Sequence, residues 1–543
     1  MKARQLGLVG LASLLVGGAP FAAELTLLDA AEAGNHEAAL RLLAAGSDVN
    51  SRTYDGTTAL MWAAYQGEVE LVQKLIKGGA DVTLRNDYGA SALSEAAMLG
   101  STPIIKALLD AKADPNARNP EGETALMLVA RTGNIEAAKL LLSAGAHINA
   151  TEGWGGQSPL MWAAAQKQPE MVKFLLSKGA EVNARSITRE WQRKITSEPR
   201  PKDMSKGGFT PLLFAAREGC IDCAKYLLAG GADPDLGDPE NVTPLILALE
   251  NMHFDFAAFM ISAGANVDKW DFRGRSPVYT ATDFSTMPTS AHGDVPSGDA
   301  LKGADIVKLL LDKGANPDIQ LVRRTPYRHR ALDRGGDTIL VGGTTPLLRA
   351  AKACDVTVVR LLLEHGALVD LATDEGITPL MAAAGIGNND RTTRGRFRAE
   401  ADVMTTMQLL LDAGADVNAQ MLGEPNGATE RSAGERRRNF GYARQGRQVP
   451  SEQATPHWTA LHGAAMHGWT FAVQFLADHG ADLSIKDADG RTARELADGW
   501  YNIRATRATT KAEPFKDTVA LFDSLAARGV SVAGATARES SGN

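Results

Sequence analysis

Residues 55–86 read DGTTALMWAAYQGEVELVQKLIKGGADVTLRN, and residues 120–150 read PEGETALMLVARTGNIEAAKLLLSAGAHINA. Self-similarity at a fixed spacing changes the fold on which every other motif must be placed. The same words return as TPLLFAAREGCIDCAKYLLAGGADPD from Thr210 and as TTPLLRAAKACDVTVVRLLLEHGALVD from Thr344. An opening Thr or Ser falls at Thr58, Ser91, Thr124, Ser158, Thr210, Thr243, Ser276, Thr345, Thr378, Thr459 and Thr492, with separations of 33, 33, 34, 52, 33, 33, 69, 33, 81 and 33 residues. A 33-residue unit organises the chain, and the longer separations carry insertions.

The grammar of one unit follows from backbone chemistry. Thr or Ser is a good N-cap and the Pro that often follows suits the first helical position, so TPL opens a helix. Gly67, Gly100, Gly133 and Gly219 end it after about two turns by supplying a left-handed residue. A second helix follows, with apolar residues at i, i+3 and i+4 as in Val72, Leu75 and Ile76. A second Gly closes it at Gly46, Gly79, Gly145, Gly179, Gly231, Gly264, Gly314, Gly366, Gly414 and Gly480, with Lys112 at the equivalent place of the third unit. Each helix pair has one apolar side, which only a stacked neighbour can cover.

These words resemble the ankyrin repeat, in which TPLHxAA opens the first helix and GADVN leads into a β-hairpin finger. TALHGAA at residues 459–465 is the nearest copy, and the resemblance covers residues 25–530. It implies an all-α solenoid of stacked helix pairs with β-hairpin finger loops, about a dozen units long. It also implies that the fingers and the concave helix surface form a protein-binding face. Cys354 and Lys167 replace the Gly between helices, so their units, with that of Lys112, are expected to be locally less stable. The first unit lacks a TPL word and the last pair has an irregular middle, as end units covering exposed faces do.

Three insertions follow a unit's closing turn and extend its finger, at 187–206, 323–341 and 422–455. Two more, near 285–302 and 386–402, separate the helices of one unit. The finger extensions hold six basic and three acidic, five and two, and six and four residues, so a summed +8 leaves −15 on the rest of a −7 chain. Arg and aromatic residues are enriched at binding hot spots. Trp191, Arg323, Arg324, Tyr327, Arg328, Arg436, Arg437, Arg438, Phe440 and Tyr442 are therefore the candidate contact residues for a partner protein with an acidic surface. The alternative is that charged insertions are merely solvated. Nucleic acid fits poorly with export and overall acidity, and a monomer is expected.

Lys2 and Arg4 precede an apolar run from Leu6 to Val16, followed by small residues and Ala22-Ala23. This is the layout of a secretory signal peptide over 1–23, too short to span a bilayer as an ordinary helix. The mature chain is expected in the periplasm or secreted, without membrane insertion. Its organisation reads as repeats over 24–186, 207–322, 342–421 and 456–529 between the three finger insertions, with a tail over 530–543 that is expected to be disordered.

Catalytic patterns are few. Cys220-Ile221-Asp222-Cys223 starts a second helix, where the helix dipole lowers thiol pKa. No thioredoxin-like βαβ pattern surrounds the pair, so a local disulfide is the main expectation and a redox or metal-handling protein the alternative. Cys354 lies too far along the stack to join it. His457, His462 and His467 repeat every five residues, which spreads them around a helix rather than on one face, so no metal is expected. No GxSxG, P-loop or GxGxxG in a βαβ context occurs. No cofactor is expected, and the reading is a non-catalytic interaction scaffold or stabilising accessory; a secreted effector acting on another cell is a further alternative.

Overall fold

In the computed structural model, residues 25–190, 206–285, 298–323, 339–387, 399–421, 457–500 and 514–528 are described. The chain divides into two compact units. The first comprises Met1–Val129 with Glu136–His147, the second Ala130–Ile135 with Ile148–Asn543. Each is built from short helix pairs in succession, an all-α solenoid in which helices of equivalent position pack on one another.

In the first unit the pairs are Leu27–Glu32 with His36–Ala44, Ala59–Gln66 with Val69–Lys77, and Ala92–Leu99 with Thr102–Asp110. Thr58 Oγ1 accepts from Met61 N at 3.3 Å and Ser91 Oγ from Ser94 N at 3.1 Å, so the opening residue of each unit is an N-cap. Leu71, Val72 and Leu75 are buried on the second helix, while Ile76, expected beside them, is only half-buried. The closing turn ties one pair to the next. Asn50 Nδ2 donates to Gly79 O at 3.2 Å while its Oδ1 accepts from Asp81 N at 2.8 Å, and Asn116 does the same to Gly145 O and His147 N.

The second unit repeats this from Pro159–Ala165 with Pro169–Ser177 to Ala460–Met466 with Thr470–Asp478. Thr210, Thr243, Thr345, Thr378 and Thr459 cap their helices in the same way. Asn183 and Asn418 make the two-bond tie, to Gly231 O with Asp233 N and to Gly480 O with Asp482 N. Where the residue is Asp, as at Asp235, Asp268, Asp318 and Asp370, only the accepting bond is made. The last pair is irregular as expected: Thr492 caps a short turn that bends at Gly499 before Lys516–Ala527.

Four non-glycine residues occupy the left-handed helix-ending positions that other units give to Gly: Lys112 at φ 72°, Lys167 at φ 56°, Met252 at φ 59° and Cys354 at φ 53°. The repeat imposes its backbone even where the residue type opposes it. Among the described residues no helix is long and apolar enough to cross a membrane.

Candidate functional site

A regular finger is a minimal hairpin, closed by one backbone bond between a polar residue and the residue four further on. In the second unit these are Asp238 with Val242 at 3.1 Å, Asp271 with Arg275 at 3.3 Å, Thr373 with Ile377 at 3.0 Å and Asp487 with Arg491 at 2.8 Å. The polar side chain templates the turn: Asp238 Oδ1 accepts from Glu240 N and Val242 N, both at 2.9 Å. A left-handed residue sits one place before the closing position, as at Gly274, Gly376 and Gly490. Burial raises the Asp238 carboxyl pKa, opposed by the two backbone donors. Burial also pushes Asp487 up, but the Arg491 side chain and backbone N–H bonds bring it below the usual carboxylate range.

All three basic insertions leave from this same closing pair, now stretched apart in sequence: Ser186 with Phe209 at 2.9 Å, Leu321 with Thr344 at 2.9 Å and Met421 with Trp458 at 3.0 Å. Leu321 and Met421 are buried apolar residues where the short fingers carry an Asp, Asn or Thr. These two long fingers dispense with the turn-templating side chain and anchor their base in the core instead, whereas at the first Ser186 Oγ accepts from Phe209 N at 2.8 Å. At the first insertion Arg189 N donates to Lys206 O at 2.7 Å, beside a Thr188–Gly207 bridge.

Neighbouring fingers bond to each other through the backbone. Ile187 N donates to Gly155 O at 2.7 Å, Phe272 N to Glu240 O at 3.0 Å, Val322 N to Arg273 O at 2.8 Å and Asp374 N to Gly342 O at 3.0 Å. Exposed aromatics stand along this row. Trp154 is 72% exposed, and the Arg189 guanidinium lies 4.6 Å from its ring centre while donating to the Trp154 carbonyl. Trp270 and Val322 are also exposed, and Arg273 stacks 4.6 Å above Phe272. In the first unit, considered alone, Tyr54 and Tyr88 are exposed on the fingers. Of the candidate contact residues, Arg323 is exposed beside Val322 and its N–H donates to Arg273 O at 3.2 Å. Trp191, Arg324, Tyr327, Arg328, Arg436, Arg437, Arg438, Phe440 and Tyr442 lie outside the described residues.

Sequence reasoning passed over Trp154 and Phe272, although a signal existed: each stands two residues before a left-handed Gly in its finger, as Tyr54 does. The first helices differ in how much surface they expose. Trp62 and Tyr65 in the first unit are at least partly exposed, and in the second Arg131 stacks 5.7 Å from the ring of the half-buried Trp162. From Pro277 onward the surface is withdrawn: every residue of Pro346–Ala353 and Pro379–Ala383 is buried, as are Pro277–Phe284. The finger just before Pro277 holds buried charge. Arg275 meets Asp271 Oδ2 at 2.6 Å and also Glu250; burial works against its charge, but the two carboxylates more than offset that and raise its pKa.

Cys220 and Cys223 form a disulfide, with sulfurs 2.09 Å apart, and Cys220 Sγ caps the helix by accepting from Cys223 N at 3.3 Å. Both are buried, which shields the bond from exchange with a dissolved thiol. Cys354 is a buried thiol. The three histidines serve three structural purposes. His457 is the left-handed residue of the third long finger, at φ 53°. His462 is buried with Nδ1 2.9 Å from Thr459 Oγ1, and burial holds its pKa down to about 4. His467 Nε2 lies 2.9 Å from Gly385 O. Among the described residues no group of three or more His, Cys, Asp or Glu is arranged to hold a metal.

The protein-family models agree with this architecture. The family model for ankyrin repeats in three copies matches residues 27–119, 93–186, 194–284 and 300–392, and that for a single ankyrin repeat matches 375–421 and 457–488. No curated protein matches the chain. Among solved structures, the human ASB11 ankyrin repeat domain is similar at 25% identity and a TM-score of 0.34, over 41% of this chain and 90% of that one. With its repeat models spanning well over half of its length, the chain belongs to the ankyrin repeat family.

Proposed function

We propose that the protein is a non-catalytic scaffold or stabilising accessory, exported to the periplasm or the cell exterior, that holds a partner protein through its finger row. The observation that carries this is Trp154, a large aromatic 72% exposed at a finger tip and topped by Arg189 at the base of a basic insertion. An exposed tryptophan costs solubility unless a partner covers it, and a Trp–Arg pair brings wide apolar contact and directed donors to one spot. The +8 carried by the three finger insertions, against −15 elsewhere, favours a partner with an acidic surface and steers its approach. Ankyrin repeats generally act by binding other proteins, which supports the class of function. The buried disulfide disfavours the redox alternative.

The test is capture from envelope extract by residues 24–543, beside Trp154→Ala, Arg189→Ala and a chain in which 422–455 is replaced by a short turn. One partner held by the intact protein and lost by the finger variants supports the reading. Identical capture by all four proteins, each equally folded, overturns it.

A further inference from the structure

Arg349 stands four residues after the N-cap Thr345, the place that Trp62, Trp162 and Phe214 fill in other units. It is 0% exposed, and its Nε donates to Asp283 Oδ1 at 2.7 Å. Its Nη1 and Nη2 are buried without a hydrogen-bond partner. A guanidinium carries five N–H donors, so one is satisfied and the other four have no partner among the described residues. Buried donors are left so only rarely, and the penalty is larger for a charged group. The same place holds Leu128, Leu247, Thr280, Ala382 and Gly463 in other units, so the repeat itself does not call for a cation there.

Among the described residues the flanking helices supply no second acceptor to Arg349. The helix Pro346–Ala353 packs between Pro277–Ser285 and Pro379–Ala383. On the first of these, Asp283 is already used and Thr282 Oγ1 is itself buried without a partner. The second reads PLMAA and has no polar side chain. Of the other charged groups near this helix, Lys352 is a second cation, whose Nζ lies 3.4 Å from Gly387 O. Asp355 accepts from Val358 N and the Ser285 hydroxyl.

We propose that Arg349 anchors a binding site for a small, freely diffusing oxyanion of the carboxylate or phosphate class, held by its two Nη groups while Asp283 fixes the guanidinium through Nε. Two parallel N–H groups of a guanidinium match two oxygens on one atom, a geometry that neither chloride nor a lysine ammonium reproduces. The proposal does not rest on the finger reading, and either can fail alone.

The full chain is unfolded thermally in phosphate, acetate or chloride at constant ionic strength, and phosphate is titrated into the folded protein by calorimetry. The expected result is a saturable rise in midpoint with phosphate or acetate, equivalent to about a 100-fold shift of the folding equilibrium at a ligand concentration 100 times Kd. The variant Arg349→Lys keeps a charge for Asp283 but loses the fork, and should bind at least tenfold more weakly. General exclusion of phosphate from protein surface rises without saturating and is shared by both proteins. No saturable heat or midpoint shift with the wild-type chain, or the same shift in Arg349→Lys, overturns the site. Either result would mean that water or a partner-borne carboxylate satisfies the guanidinium. If Arg349→Lys does not fold, the wild-type calorimetry alone decides.

Discussion

Replacing Lys112 or Lys167 by Gly should stabilise the protein, and the size of the effect can be worked from the backbone. Both residues sit in the left-handed region, at φ 72° and 56°. Both side chains are exposed and make no hydrogen bond or ion pair among the described residues, so nothing is lost with them. An L-residue pays about 1–2 kcal/mol for this conformation, by the steric clash of Cβ with the following carbonyl. Glycine removes that cost but gives back about 0.4–1 kcal/mol through its more flexible unfolded chain. The net expectation is about 1 kcal/mol of added stability for each replacement. The reverse exchange provides the control. Gly79 closes its unit at φ 92°, and a Cβ there would meet nothing within 4 Å, so Gly79→Lys should lose about the same 1 kcal/mol by strain alone. Gly89→Ala should lose more, because its Cβ would lie 2.2 Å from the Pro120 ring. Urea unfolding followed by circular dichroism reads the midpoint, and an unchanged slope certifies that stability rather than compactness has moved. If Lys112→Gly and Lys167→Gly leave the midpoint unmoved or lower it while Gly79→Lys destabilises, the attribution of strain to these lysines is wrong.

Asp370→Asn should add about 1 kcal/mol, because an amide there can donate to the Gly414 carbonyl, as Asn50 does to Gly79, while still accepting from Asp416 N; thermal unfolding checks it. His462 titrates near 4 instead of 6.5 because it is buried, so its folded pKa lies below the unfolded one. Its contribution is complete above about pH 6.5 and is lost as pH falls towards 4, about 3 kcal/mol in all. The stability difference between wild type and His462→Gln should therefore shrink across that window, and a constant difference would refute the assignment. The Cys220–Cys223 link closes a loop of only four residues, so breaking it by the double change Cys220→Ser and Cys223→Ala should cost no more than about 2 kcal/mol, with Ser retaining the helix cap. A loss well beyond that in denaturant unfolding would mean that the bridge does more than restrict the unfolded chain.

Much of the molecule was legible because its instructions are local. An N-cap acts on the N–H three residues on, and a left-handed Gly on the turn it closes, so Thr58, Thr210 or Gly67 declare their roles within a few residues of themselves. Repetition then reinforces each signal many times over. The finger row was legible in part. The places of the three insertions followed from register, whereas their bases turn on one residue, Ser186, Leu321 or Met421, whose meaning depends on what covers it. The places of His457, His462 and His467 had no such local signal: they sit in a finger turn, beside Thr459 and against the Gly385 carbonyl.

The sequence by itself determined the period, the helix pairs, their caps, the finger positions and the segregation of basic charge, since all of these are set by backbone rules and by composition along the chain. The tertiary structure alone decided that Trp154 meets Arg189 across 35 residues, that the first-helix surface closes from Pro277 onward, and that Arg349 is buried against Asp283 across 66 residues. Burial and pairing of this kind depend on which unit stacks on which side chain. No pattern within one 33-residue word contains that information, because each word is completed by its neighbour.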